Sequence, residues 1–261
     1  RKSLSLHEHL VLNRWLLSLF YQKDLQGFKQ RLGGDDNEGI AQDGQSKFFH
    51  ALAAMLFIDA HSALSIDDLR RYDLNVVRHW QAITQKRNDT NGHTLNMKYF
   101  QYLSLIFTEI YLDWFFNKKA DLQAALNAQM QKYKESLGDK AKDFADYRLD
   151  DLHKIAFWNA TGSGKTLLMH VNILQYLDYF KGLPDKIIVL TPNEGLSKQH
   201  VAELTLSGFQ AALFDKNGAQ KSFALNFAAV CPKEIEVIEI TRLVDKSGDK
   251  TIAGDWFAGH N

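Results

Sequence analysis

Cysteine is almost missing from this sequence of 261 residues: Cys231 stands alone. That excludes an internal disulfide and any zinc site built from several cysteines, and it fits a reducing compartment such as the cytoplasm. Net charge is missing as well. Lys plus Arg and Asp plus Glu number 31 each, so the chain is not a globally basic nucleic-acid binder, although a local basic groove stays open. No apolar run is long enough for a membrane span. The start, Arg1-Lys2-Ser3-Leu4-Ser5-Leu6-His7-Glu8-His9, turns polar too soon for a signal peptide. It has no initiating Met and so reads as a fragment or a trimmed chain. The 10 histidines are scattered, with His7 and His9 at the wrong spacing for one helix face, and they make no ligand set. No Ser-His-Asp or Cys-His arrangement, internal repeat or low-complexity tract is present. What remains is 45% hydrophobic and 24% charged, the balance of a soluble globular protein with one large domain or two ordinary ones.

The first half carries no long strand signal. Leu10, Trp15, Leu16, Leu19, Phe20 and Phe28 recur at helical spacing over 5–32, as one amphipathic helix or two. A Gly- and Asp-rich break at 33–44 separates these from an apolar helix over 46–63. In that helix Phe57-Ile58-Asp59-Ala60-His61 reads as a core helix end. Ser65-Ile66-Asp67-Asp68 opens another helix with a capping box, its inner side formed by Leu69, Tyr72, Val76, Trp80 and Ile83. After an exposed turn at 88–93, two more helices are predicted over 97–116, rich in aromatic residues, and 121–135. A short one follows at 141–151.

The chain changes character at Asn159-Ala160-Thr161-Gly162-Ser163-Gly164-Lys165-Thr166. An apolar run, Ile155-Ala156-Phe157-Trp158, precedes it and reads as a buried strand. Leu167-Leu168-Met169-His170-Val171 opens a helix behind it. Strand, glycine-rich turn and helix with Lys and Thr in its first turn is the arrangement that cradles nucleotide phosphates. Gly162 and Gly164 let backbone N–H groups turn inward, with Thr161 and Ser163 completing the loop. Lys165 supplies a charge for the β- and γ-phosphates, and the Thr166 hydroxyl can hold Mg²⁺. The generic pattern G-x-x-x-x-G-K-[ST] wants glycine where Asn159 stands, but Asn tolerates left-handed backbone well enough to close the turn.

Beyond the loop, the helix runs to Phe180 and stops at Lys181-Gly182-Leu183-Pro184. Residues 186–191 read as a fully buried strand, 195–204 as a helix and 209–214 as a short strand. Ile235-Glu236-Val237-Ile238-Glu239-Ile240 is a further strand, placed near a sheet edge by one acid on each face. Alternating strands and helices predict a parallel sheet with right-handed crossovers. Thr191-Pro192-Asn193-Glu194-Gly195 is a polar turn from a strand into a helix N-terminus, which presents N–H groups at the carboxyl edge of the sheet. Of the five tryptophans, any that is exposed could stack on a base; otherwise they belong to core or interface.

Together, Ala160-Thr161-Gly162-Ser163-Gly164-Lys165-Thr166 and the turn from Thr191 to His200 resemble motifs I and Ia of superfamily 2. The family is that of DEAD/DEAH-box helicases, closest to the type III restriction enzyme Res subunit branch, and the likeness covers roughly residues 150–261. It implies an α/β chain with a helical N-terminal region (1–148) and a RecA-like P-loop domain with a parallel sheet (149–261). By resemblance, ATP and Mg²⁺ are the cofactors, bound by Thr161 to Thr166, with Lys165 and Thr166 as catalytic residues. Thr191, Pro192, Asn193 and Gly195 would touch a nucleic-acid strand, DNA rather than RNA, with Thr241-Arg242 as a further contact. Gln101 would take the adenine-reading part of a Q motif. Against the family pattern, no Asp-Glu-x-His sequence lies between Thr166 and Asn261. The RecA-like domain therefore reads as incomplete, cut before that motif and lacking a second RecA-like domain as partner. It should hold nucleotide yet hydrolyse it poorly. The implied whole is a DNA-dependent helicase or translocase, a hydrolase of restriction-modification or phage defence. The rival readings are a nucleotide-sensing or DNA-docking module without motor activity, and an unrelated P-loop ATPase or kinase.

Overall fold

The computed structural model describes residues 9–56, 63–138, 144–214, 230–244 and 252–253. The chain is α/β, with helices up to the phosphate loop and a small parallel sheet after it. It forms two compact units, one of residues 1–78 with 96–163 and one of 79–95 with 164–261.

The first unit is helical. The predicted 5–32 segment is two helices, α1 (Val11–Leu19) and α2 (Leu25–Leu32), the second capped by Asp24 through the Gln26 N–H at 2.8 Å. Helix α3 (Lys47–Leu56) follows; the 57–61 stretch lies outside the described residues. Helix α4 (Ile66–Asn91) starts on the predicted capping box, with the Asp68 N–H donating to Ser65 Oγ at 3.0 Å. It buries Leu69, Tyr72, Val76, Trp80 and Ile83, and it continues past residue 88, where a turn was expected. Helices α5 (Tyr99–Asn117) and α6 (Lys119–Leu137) complete the unit. α1 and α5 both pack on α6, and Phe20, Phe28 and Phe107 meet with centroids 5.4 to 6.2 Å apart.

Two expectations fail between α6 and the phosphate loop. In place of a helix over 141–151, the described part holds one short 3₁₀ turn, Leu149–His153. It is fastened by the Tyr111 hydroxyl, which donates to the Leu152 carbonyl at 2.7 Å. The Ile155–Trp158 run is neither a strand nor buried: Phe157 is 47% and Trp158 83% exposed. An apolar run becomes a strand only where a ladder partner exists, and no strand among the described residues pairs with this one.

The second unit holds helix α7 (Lys165–Tyr179), strand β1 (Ile187–Thr191), helix α8 (Glu194–Leu206) and strands β2 (Ala211–Leu213) and β3 (Ile235–Glu239). The sheet order is β1–β3–β2, parallel throughout, with Ile187 opposite Ile235 and Ala211 opposite the same residue on the other side. Helix α8 packs on all three strands, and its Leu204 and the Ile235 and Val237 of β3 are buried. A further parallel pair joins β4 (Leu243–Val244) and β5 (Ile252–Ala253).

Strands β1 and β3 exchange their expected places. β3 is central, because Glu236 is neutralised by Lys186, whose Nζ sits 3.3 Å from Glu236 Oε1, and Glu239 accepts from the Thr241 hydroxyl at 2.7 Å. β1 is at the edge and only partly buried, with Leu190 53% exposed. The end of α4 belongs to this unit. Arg87 donates to Ser207 Oγ and to Glu203 Oε2, both at 2.6 Å, and His79 meets Asp178 at 2.6 Å.

His170, on α7, is fully buried, with Nδ1 2.8 Å from Ser207 Oγ. Its Nε2 has no hydrogen-bond partner among the described residues. Burial, then the Arg87 and His200 charges, push its pKa down to about 3. An unfolded histidine protonates near 6.5, so between these values the unfolded chain binds a proton that the folded chain does not. The stabilisation is full above about pH 6.5 and is lost as pH falls, by about 1.4 kcal/mol per unit. Urea unfolding at pH 7 and pH 5 should show a drop about 2 kcal/mol larger in the wild type than in His170→Gln; equal drops would refute this.

Candidate functional site: the phosphate loop

The loop turns on two glycines. Gly162 has φ 78° and Gly164 φ 80°, the left-handed region in which a side chain is strained. The Ser163 N–H donates to the Ala160 carbonyl at 3.2 Å and closes the turn. Gly164 is then the N-cap of α7, and its carbonyl accepts from the Leu168 N–H at 3.1 Å. A glycine cap brings no side chain to the first-turn N–H groups, which in any helix lack a carbonyl one turn back. A Cβ built on Gly162 would meet nothing within 4 Å, so that position is set by conformation and faces open space. Lys165 is exposed and Thr166 half-buried at the first two positions of α7, while Thr161 is exposed.

Ser163 is buried, and its hydroxyl has no hydrogen-bond partner among the described residues. Such a group costs free energy unless something supplies a partner. A phosphate oxygen is the kind of acceptor that would, so the loop fits an anion on three counts: left-handed glycines, an uncapped helix start and an orphaned hydroxyl.

Gln101 touches this loop. Its Nε2 donates to the Ser163 carbonyl at 3.0 Å, and its Oε1 accepts from the Lys98 N–H at 2.9 Å, which caps α5. Beside the loop, Ile155–Asn159 and helices α1 and α5 line a cavity of about 740 Å³ in the first unit, with Tyr99, Phe100, Phe157 and Trp158 as its aromatic walls. Nothing in the sequence pointed to this cavity, because its walls come from four separate segments, the start of α2 at Asp24, Leu25, Gln26 and Lys29 among them.

The second candidate turn is well formed. Asn193 caps α8, accepting from the Leu196 N–H at 2.9 Å. Pro192, Asn193 and Gly195 are exposed at the carboxyl end of β1. Thr191 is buried instead, its hydroxyl 2.5 Å from Ser197 Oγ. Arg242 donates to the Phe214 carbonyl at 3.4 Å. Among the described residues no cluster of three or more His, Cys, Asp or Glu could hold a metal, and no helix is long and apolar enough to cross a membrane.

Residues 120–243 match the type III restriction enzyme, res subunit, family. The match is to a domain related to helicase superfamily 2. It begins in α6, ahead of residue 150, and takes in the phosphate loop, β1, α8, β2 and β3. Gln101 lies upstream of it. No curated protein and no solved structure matches the chain.

Proposed function

We propose that the res-subunit segment is the ATP-binding part of a DNA-dependent helicase or translocase, built on a RecA-like P-loop domain. The observation that carries this reading is the loop itself: two left-handed glycines around a buried, unsatisfied Ser163 hydroxyl at the uncapped start of α7. Backbone N–H groups from Thr161 to Thr166 cradle the phosphates. Lys165 balances charge that builds on the β- and γ-phosphates during transfer. Mg²⁺, held by the Thr166 hydroxyl, would neutralise the phosphate oxygens. Asn193 and Gly195, with Pro192 beside them, contact the phosphate backbone of a DNA strand through the exposed N-terminus of α8, and the buried Thr191 holds that turn in shape. A second RecA-like domain is the expected partner in turnover, and restriction or phage defence the expected setting.

Calorimetric titration with adenosine, AMP, ADP and ATP, each with Mg²⁺, tests the reading. ADP and ATP should bind, with AMP weaker by about tenfold or more, since each lost phosphate removes charge-assisted hydrogen bonds. Equal affinity for adenosine and ATP would place the recognition on the base and overturn the phosphate-loop reading. Single-stranded DNA added to the same samples should change ATP affinity, and ATP should change DNA affinity by the same factor, because coupling between two sites is reciprocal. DNA binding that leaves ATP affinity and turnover untouched would favour a docking module.

A further inference from the structure

We infer that Gln101 is a positioning residue for the phosphate loop, acting through the Ser163 carbonyl and not through the base of the nucleotide. The inference rests on the phosphate-loop reading above. Gln101 stands in the first turn of α5, where its carbonyl oxygen takes the Lys98 N–H at 2.9 Å and its amide nitrogen gives a bond to the Ser163 carbonyl at 3.0 Å. The donor at Lys98 and the acceptor at Ser163 together fix which way the amide points.

What that bond controls follows from peptide geometry. The Ser163 carbonyl and the Gly164 N–H belong to one planar trans peptide and point in opposite directions. Gly162 and Gly164, on either side, are the residues freest to rotate. Holding the carbonyl toward Gln101 therefore aims the Gly164 N–H away from it and removes a rotation that two glycines would otherwise permit. The gain is preorganisation: donors already aimed need no reordering when the phosphate arrives. Each of the two atoms that an amide would offer to a base edge already makes one bond within the chain, and those bonds set its direction.

Two substitutions separate the strap from its alternatives. Gln101→Glu keeps an acceptor for the Lys98 N–H, as the third residue of a capping box does, but sets a carboxylate oxygen against the Ser163 carbonyl. Gln101→Met removes both bonds. Binding of inorganic tripolyphosphate, Mg²⁺–ATP and Mg²⁺–GTP to the 261-residue chain is measured by calorimetry, alongside thermal melting. Q101E should melt like the wild type and lose roughly three- to tenfold in affinity for all three ligands alike. A loss confined to ATP would make Gln101 a base reader and overturn the inference. So would unchanged affinities, or losses that merely follow falling melting temperatures across Q101E and Q101M. If the wild type binds none of the three, the phosphate-loop reading itself fails, a result distinct from wild-type binding with an indifferent Gln101.

Discussion

Lys165→Ala should weaken Mg²⁺–ATP binding by about 10- to 100-fold and leave the melting temperature unchanged or slightly raised. The binding loss is that of a hydrogen bond to a charged group, about 1.5–3 kcal/mol. The stability half of the prediction comes from where the lysine stands. It is the first residue of α7 and exposed, at the positive end of the helix dipole, where a cation is unfavourable by about 0.3–1 kcal/mol. The loss should shrink from ATP to ADP to AMP as the phosphates that Lys165 reaches disappear. An Ala variant that binds ATP like the wild type would remove Lys165 from the site. One that binds poorly but also melts several degrees lower would make the lysine a structural residue.

The turn at Gly162 and Gly164 and the helix behind it are legible in the sequence because their information is local. Left-handed backbone at 162 and 164 is written in the glycines themselves, and the helix that follows needs only its own apolar spacing. The same holds for the Ser65 capping box and for Asn193 at the start of α8, whose bonds span three residues. What failed depends on distant partners. The acids of β3 read as edge residues because Lys186, which neutralises Glu236, lies 50 positions away. The run at 155–158 read as a buried strand because periodicity reports apolar character and not the presence of a neighbouring ladder. By resemblance alone, Gln101 takes the adenine-reading part of a Q motif. Its link to Ser163, 62 positions on, exists only once α5 and the loop are folded in the same unit.

The largest stability effect is expected at Asp73, on the face of α4 that meets the start of α3. Asp73 is fully buried and accepts from the Ser46 N–H at 2.8 Å, from the Ser46 hydroxyl and from the Tyr102 hydroxyl at 2.6 Å. Ser46 Oγ also accepts from the Phe49 N–H at 3.0 Å, so the carboxylate holds the residue that caps α3. Asp73→Ala strands three buried donors and should cost about 3–5 kcal/mol in urea unfolding. Asp73→Asn should cost about 1–2 kcal/mol, since its carbonyl keeps one acceptor and both hydroxyls can turn to receive its N–H. Burial pushes the Asp73 carboxyl above its ordinary value of 3.8, against the pull of its three donors. The folded chain therefore binds that proton more tightly than the unfolded one, and this group's contribution is fully present below pH 3.8 and declines as pH rises through its folded value. Acid should leave the hub intact while it titrates Asp113, whose pKa is lowered despite burial by the hydroxyl of Tyr72, Asn117 and Arg71. Tyr102 follows Gln101 on α5, so one helical turn is tied to Asp73 through one residue and to the phosphate loop through the next. Asp73→Asn, folded but loosened, should then lose tripolyphosphate affinity in step with Q101E. Unchanged affinity in a destabilised Asp73→Asn would show that the loop is held by Gln101 alone and owes nothing to the packing behind it.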